Sequence, residues 1–285
     1  MPRGIATKTL DLIEAAVAIL NEIQPASVRA VCYQLFNHKH ILDMSKGSTD
    51  RVSRALVRAR EAAWVPWEWI VDETRPVELP YGFDDPDHYM DTVFAGYRRD
   101  RWSSQPERVM VVSEKNTIGG ILRPVIREWG VPFAVYHGFG SASAVRELAV
   151  RSAEDRRPLT VIYVGDHDPS GRYMSDLDLP GRLDRYGGVV TIERIAVTPD
   201  QIERQALLTF SAAEKVKDAR YAWFAETHGA VCCELDAMNP NDLRAVVEAA
   251  IRAHLDHDAW ILAGSTEAAE MGSLRDFFQS WKGVA

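Results

Sequence analysis

The chain has 285 residues, of which 46% are hydrophobic and 26% charged, with a formal net charge of −8. That balance belongs to an ordinary globular protein able to bury a sizeable core, and the length makes two domains the expectation. It argues against a polyanion-coating protein driven by bulk positive charge, and no apolar run is long enough to span a bilayer.

Met1 to Leu20 alternates Lys8, Asp11 and Glu14 with apolar residues, unlike a secretory signal, so a cytoplasmic, nucleoid-associated location is expected. Cys32, Cys232 and Cys233 form neither a CxxC pair nor an even disulfide framework and read as reduced, packed thiols without zinc. Charge is unevenly spread. Residues 1–65 hold nine Lys or Arg against six Asp or Glu, and the remainder is strongly acidic.

In chain order, Leu10, Ile13, Val17, Leu20 and Ile23 recur at helical spacing and predict a first helix over 6–23, stopped by Pro25. Ser27 can cap a second helix over 28–37. Beyond a polar loop containing Lys46-Gly-Ser-Thr-Asp50, a third helix over 50–62 places Arg51, Arg54 and Arg58 on one face, while Val52, Ala55, Leu56 and Ala59 turn inward. Three such helices suit a helix-turn-helix, and the aromatic run Trp64 to Asp72 suits the wing of a winged-helix domain over 1–75. Residues 76–107 read as a Pro- and Gly-bearing connector with one helix over 87–100.

From 108 to 285 strands and helices alternate. Strands are expected near 109–113, 132–136, 159–165 and 189–197, with helices near 117–129, 141–154 and 170–178 between them. This order predicts an α/β unit with a parallel, Rossmann-like sheet. Helices are expected over 199–227, 240–256 and 265–282, with a strand over 230–236.

The acidic residues at the strand ends carry the chemical signal. Val161 to Gly171 reads as a buried strand followed by Asp166 and Asp168, and Arg108 to Lys115 is a second apolar strand followed by Glu114. Ligands of open parallel sheets gather beyond the carboxyl ends of the strands, so three hard oxygen donors can meet there. Such a set suits Mg²⁺, with Mn²⁺ as a substitute. Glu234 and Asp236 follow a further apolar segment and either add to this group or cap the next helix. Strand alternation turns His167 away from its two neighbours, which makes it a structural residue. Lys115 is either a phosphate contact or a solvated surface lysine.

The strand ending in Glu114 and the later Gly165-Asp-His-Asp168 resemble the two motifs of the Toprim domain. Ser27-Val-Arg-Ala-Val-Cys-Tyr-Gln-Leu35 resembles the active-site helix of the topoisomerase VI A subunit and of the related meiotic double-strand-break transesterase, with Arg29 four residues before Tyr33. The resemblance covers roughly 6–70 and 108–240, and Ile192 to Gln201 extends it. It implies a winged-helix tyrosine domain followed by a Toprim domain, in a minimal stand-alone form.

A phenol that attacks a phosphodiester needs a cation to steady its anion, and Arg29 lies one helical turn from Tyr33. The resemblance therefore implies a Mg²⁺-dependent, DNA-cleaving transesterase. Tyr33 is its nucleophile, Arg29 its charge stabiliser, and Glu114, Asp166 and Asp168 its metal ligands. Lys46, Arg51, Arg54, Arg58 and Lys115 contact double-stranded DNA. It further implies a homodimer in which the tyrosine of one subunit meets the metal site of the other. Topoisomerase VI A subunits work with a separate ATPase B-type subunit, so the resemblance offers one as a candidate partner, and without a phosphate-binding loop of its own this chain alone is not expected to drive strand passage by ATP. Two other readings stand beside it: a hydrolytic Toprim nuclease with no covalent intermediate, and a non-catalytic DNA-binding protein.

Overall fold

The structure is a computed structural model and describes residues 7–71, 82–136 and 141–281. Helix α1 (Thr7–Ile23) buries Leu12, Ile13, Ala16, Ile19, Leu20 and Ile23. Its apolar stripe is rotated slightly from the expected one, leaving Leu10 and Val17 half-buried at its margin. The two-residue strand β1 (Ala26–Ser27) leads into α2 (Val28–Asn37), where the Ser27 hydroxyl accepts a 3.0 Å hydrogen bond from the Ala30 N–H. Helix α3 (Lys46–Glu61) starts four residues before its expected position. The Ser45 hydroxyl caps it by accepting from the Ser48 N–H, so the stretch read as a polar loop forms the first helical turn.

The aromatic run does not form a hairpin wing among the described residues. Pro66, which has no N–H to donate, precedes a 3₁₀ turn at Trp67–Trp69, and β2 (Ile70–Val71) then pairs in parallel with β1. Asp72, the end of that expected strand, lies outside the described residues. Val71 lies so close to α5 (Asn116–Trp129) that a Cβ on Gly120 would collide with its side chain. A glycine at that position lets β2 pack closely against α5.

Between these parts, α4 (Pro86–Gly96) is the connector helix, ending four residues early. Strands β3 (Arg108–Ser113), β4 (Phe133–Val135), β5 (Leu159–Val164) and β6 (Val190–Ala196) form a sheet in the order β4-β3-β5-β6, every pair parallel. The expected alternation and parallel sheet are therefore present, in a mixed α/β chain. Helix α6 (Ala142–Glu154) joins β4 to β5. Helix α7 (Pro169–Tyr173), a π turn at Met174–Asp178 and α8 (Leu179–Arg185) join β5 to β6.

Period-two alternation sorts the strand residues between two cores. Val112, Val161 and Tyr163 pack with Val145 and Leu148 of α6 and with Leu179 and Leu183 of α8. Val109, Val111, Ile162 and Val164 lie on the other side, in a cluster that includes residues of α5 and of the later helix over 240–253 and continues through Leu20, Leu35 and Leu56 of the amino-terminal helices. The expected boundary near 76–107 thus separates two segments of sequence that share one buried cluster.

The helix expected over 199–227 is interrupted. Helix α9 (Pro199–Arg204) ends near Ala206, whose φ is positive, and Thr209-Phe210-Ser211 becomes β7 (Thr209–Ser211) before α10 (Tyr221–His228) begins. Strand β8 (Val231–Cys233) pairs antiparallel with β7, and this pairing overrides the helical pattern. Helix α11 (Pro240–Ala253) joins the first core through Leu243, Val247 and Ile251. Its Arg244 donates to the carbonyls of Ile121 at 2.9 Å, Ile23 at 2.9 Å and Pro25 at 2.7 Å, tying α1 to α5. Helix α12 (His257–Trp281) starts eight residues earlier than expected. No helix among the described residues is long and apolar enough to cross a membrane.

Candidate active site at the strand ends

Strands β3 and β5 are neighbours in register, Ser113 beside Val164, so their carboxyl ends deliver Glu114 and Asp166 to one edge of the sheet. The Glu114 carboxylate accepts a 2.7 Å hydrogen bond from the Asp166 N–H. The Asp166 carboxylate accepts one of 2.7 Å from the Leu235 N–H, just beyond β8. Asp168 caps α7 by accepting from the Gly171 N–H at 2.7 Å. A Cβ at Gly171 would strike the Asp166 carbonyl oxygen and crowd Glu114, so the turn closes over the carboxylates only with glycine there.

Half-buried Arg194 of β6 braces this turn. Its guanidinium donates to the carbonyls of Gly165 at 2.7 Å, Gly171 at 3.1 Å and Asp166, and to the Ser175 hydroxyl at 2.9 Å. Neither motif nor spacing singles out this arginine in the sequence. Its only signal was a charged residue inside an otherwise strand-like run.

Charge is crowded here. Burial, and then the neighbouring carboxylates Asp166 and Asp168, push Glu114 from the usual carboxylate range up to about 7. Burial raises Asp166 as well, against the pull of Lys115. Lys115 is neither a free phosphate contact nor a solvated surface lysine, as the sequence had suggested. Its ammonium bridges Asp166 and Asp236 at 2.8 Å each, with Glu234 at 3.6 Å. Burial works against that charge, but the two aspartates outweigh it and hold the lysine protonated. Lys215, which the sequence did not single out, pairs with Asp168.

Three carboxylates at one sheet edge fit a hard divalent cation in donor chemistry, and Glu114 has no basic side chain in hydrogen-bond contact among the described residues. Both aspartates, however, already hold an ammonium group. Among the described residues, no three His, Cys, Asp or Glu side chains are arranged as they stand to grip an ion. Divalent-ion binding thus requires the lysines to yield their places.

No family model and no curated protein sequence matches the chain.

Tyr33 and Arg29 share one face of α2. The guanidinium stacks on the ring, 5.7 Å from its centroid, and its Nε donates to Glu234 at 2.8 Å. Glu234 and Asp236 do not cap α11, which Asn239 caps instead. They connect the two halves of the site. Asp236 receives Lys115, lies 3.8 Å from Arg29, and accepts from the Ser27 hydroxyl at 3.4 Å. One unbroken polar network therefore runs from Tyr33 through Arg29, Glu234, Asp236 and Lys115 to Asp166 and Glu114, all within a single chain.

The tyrosine ring itself is only 5% exposed and packs within the first core. Burial, and then the Glu234 charge, push its phenol up to about 12 against the opposing pull of Arg29. As the chain stands the phenol is protonated and the residue as a whole is buried.

His167 turns away from the acidic group, as strand alternation predicts. It is buried, its ring lies 5.4 Å from Phe224 and 5.9 Å from His228, and burial lowers it to about 4, so it is neutral near pH 7. On α3, Lys46, Arg51, Arg54 and Arg58 are exposed, while Val52, Ala55, Leu56 and Ala59 are buried as expected.

Proposed function

We propose that the chain cleaves DNA by a divalent-cation-dependent transesterification, in a winged-helix-plus-Toprim arrangement like that of topoisomerase VI A subunits. The observation that carries this reading is the same-chain network joining Arg29 and Tyr33 to the carboxylates at the ends of β3 and β5. A helix bearing a phenol and a guanidinium is tied to a cation-attracting strand edge, and phosphoryl transfer asks mainly for a positioned nucleophile and neutralised charge.

In this reading the Tyr33 oxygen attacks phosphorus and gives its proton up to solvent, the bond to the 3′ oxygen breaks and that oxygen takes up a proton to leave as a hydroxyl, and the DNA 5′ phosphate becomes linked to tyrosine. Arg29 would steady the phenolate. Glu114, Asp166 and Asp168 would hold Mg²⁺ or Mn²⁺, which when bound supplies charge neutralisation and orientation of the phosphate. Exposed Lys46, Arg51, Arg54 and Arg58 would take backbone phosphates of double-stranded DNA. A homodimer would present one such site to each strand, each built within one subunit as the same-chain network favours, in place of the exchange between subunits that the resemblance implies, and any strand passage would draw on a separate ATPase subunit. The buried, protonated phenol corresponds to a resting form, from which attack requires Tyr33 to be uncovered.

The burial of Tyr33 also favours a second reading, in which water is the attacking group and the same carboxylates run a hydrolytic cleavage. Both readings are tested by incubating supercoiled plasmid with the protein and Mg²⁺. Nicked or linear product that vanishes with chelator and in Asp166→Ala is expected; undiminished cleavage by that variant contradicts both.

A further inference from the structure

Where α11 ends, a histidine lies between two carboxylates from distant parts of the chain. His254, the C-cap of α11, has its Nδ1 3.1 Å from Glu107, the residue before β3, and its Nε2 3.0 Å from Glu193 of β6. A neutral imidazole carries one N–H and can donate to only one of them. Ionised carboxylates only accept, so bonding both needs both ring nitrogens protonated. The unpaired carbonyls at the end of a helix favour a cation there as well. Other charged groups nearby are engaged elsewhere: Arg252 pairs with Glu248 and lies over Trp129, and Asp256 caps α12 by accepting from the Ala259 N–H at 3.0 Å. Burial works against a charge on the ring, but the hydrogen bonds to Glu193 and Glu107 outweigh it and raise the imidazole above its ordinary range.

Three parts of the fold meet at this ring. Strand β6 is an edge of the sheet, with a strand neighbour on one side only, and it also carries Arg194, which braces the strand-end turn. Glu107 leads into β3, and His254 opens the short link between α11 and α12. That link has a second, uncharged clip. The Asp256 N–H donates to the Oε1 of buried Gln105 at 2.7 Å, and its carbonyl accepts from the Gln105 Nε2 at 3.2 Å.

We propose that His254 is a pH-released latch. As an imidazolium it pins edge strand β6 and the lead-in to β3 to the α11–α12 link, and on losing its proton it releases at least one of the two glutamates while Gln105 keeps the link in place. The sign follows from linkage. A group whose proton is held more tightly in the fold contributes fully below its ordinary value, 6.5 for this ring, and that contribution is lost as pH climbs through the folded-state value. The latch is closed in mild acid and opens on the alkaline side.

Two local readouts test this, because Glu114 also makes the whole fold less stable as pH rises. The first is the NMR titration of the His254 ring, assigned by its loss in His254→Gln. Its midpoint is expected above 6.5 in the wild-type protein and at lower pH in both Glu107→Gln and Glu193→Gln. The second is hydrogen exchange of the β6 amides, corrected for the intrinsic rate and referred to those of β5, so that global unfolding cancels. Between about pH 6 and about pH 8.5 their relative protection is expected to fall by up to about fivefold in the wild type, the scale of a partly exposed ion pair, and to stay level in His254→Gln.

A wild-type midpoint at or below 6.5, or one unmoved in either glutamine variant, overturns the latch. So does β6 protection that stays level in the wild type, or that falls as much in His254→Gln. Should His254→Gln fail to fold, Glu193→Gln takes its place in the exchange comparison, since its side chain is half-exposed, and the same two outcomes decide.

Discussion

Glu114→Gln should make the protein more stable at alkaline pH while removing the proposed DNA cleavage. In the wild-type chain this carboxyl sits at about 7, against 4.5 for the free side chain, because it is buried beside Asp166 and Asp168. The folded state therefore holds a proton that the unfolded chain releases at lower pH. Below about pH 4.5 both states are protonated and the group contributes nothing. As pH rises towards 7 the unfolded chain gains from ionising, so the fold loses stability, by at most about 3 kcal/mol once both states are ionised.

Glutamine keeps the oxygen that accepts from the Asp166 N–H and cannot ionise. Urea denaturation followed by tryptophan fluorescence should show similar stabilities for the two proteins at pH 4.5, and a variant more stable by about 1–3 kcal/mol at pH 8. Saturating Mg²⁺ should close that gap by stabilising only the wild-type protein. A variant less stable than the wild type at pH 8, or shifted equally at both pH values, would refute the placement of Glu114 as a buried, crowded carboxyl.

Gly171→Ala should cost about 1–3 kcal/mol and abolish cleavage, because the added methyl meets the Asp166 carbonyl, whereas Gly47→Ala, with open space around it, should change neither. Arg194→Met should destabilise by about 2–4 kcal/mol in thermal or urea unfolding, since the Gly165, Asp166 and Gly171 carbonyls each lose one donor, although Gly165 keeps the Val197 N–H and Gly171 the Met174 N–H. Replacing Arg51, Arg54 and Arg58 together with alanine should weaken DNA binding and lower the slope of log affinity against log salt by up to about 3, measured by fluorescence anisotropy.

The parts legible in the sequence are those set by local periodicity. The buried face of α3, the span and Ser27 cap of α2 and the alternation of β3 to β6 follow from local pattern, because each of these features needs only residues close in sequence to define it. The convergence of Glu114 and Asp166 was readable for a related reason: a parallel sheet sends the carboxyl ends of β3 and β5 to the same edge whatever the details of packing.

What stayed hidden depends on partners distant in sequence. Lys115 could not be read as a bridge without knowing that β8 returns Glu234 and Asp236 to the same edge, more than a hundred residues later. The break in the 199–227 helix has a similar cause, since β7 exists only through its pairing with β8. The burial of Tyr33 was concealed because its apolar neighbours come from several helices, while spacing displays only its relation to Arg29.

The central claim is that the Tyr33 oxygen and the strand-end carboxylates act together on one DNA linkage. Its most direct measurement is denaturing electrophoresis of end-labelled DNA after incubation with Mg²⁺, comparing the wild-type protein with Tyr33→Phe and Asp166→Asn. Label shifted to a protein-linked species in the wild type and absent from both variants is predicted. Protein-linked DNA persisting in Tyr33→Phe, or cleavage in the wild type with no linked species at any time, would contradict it.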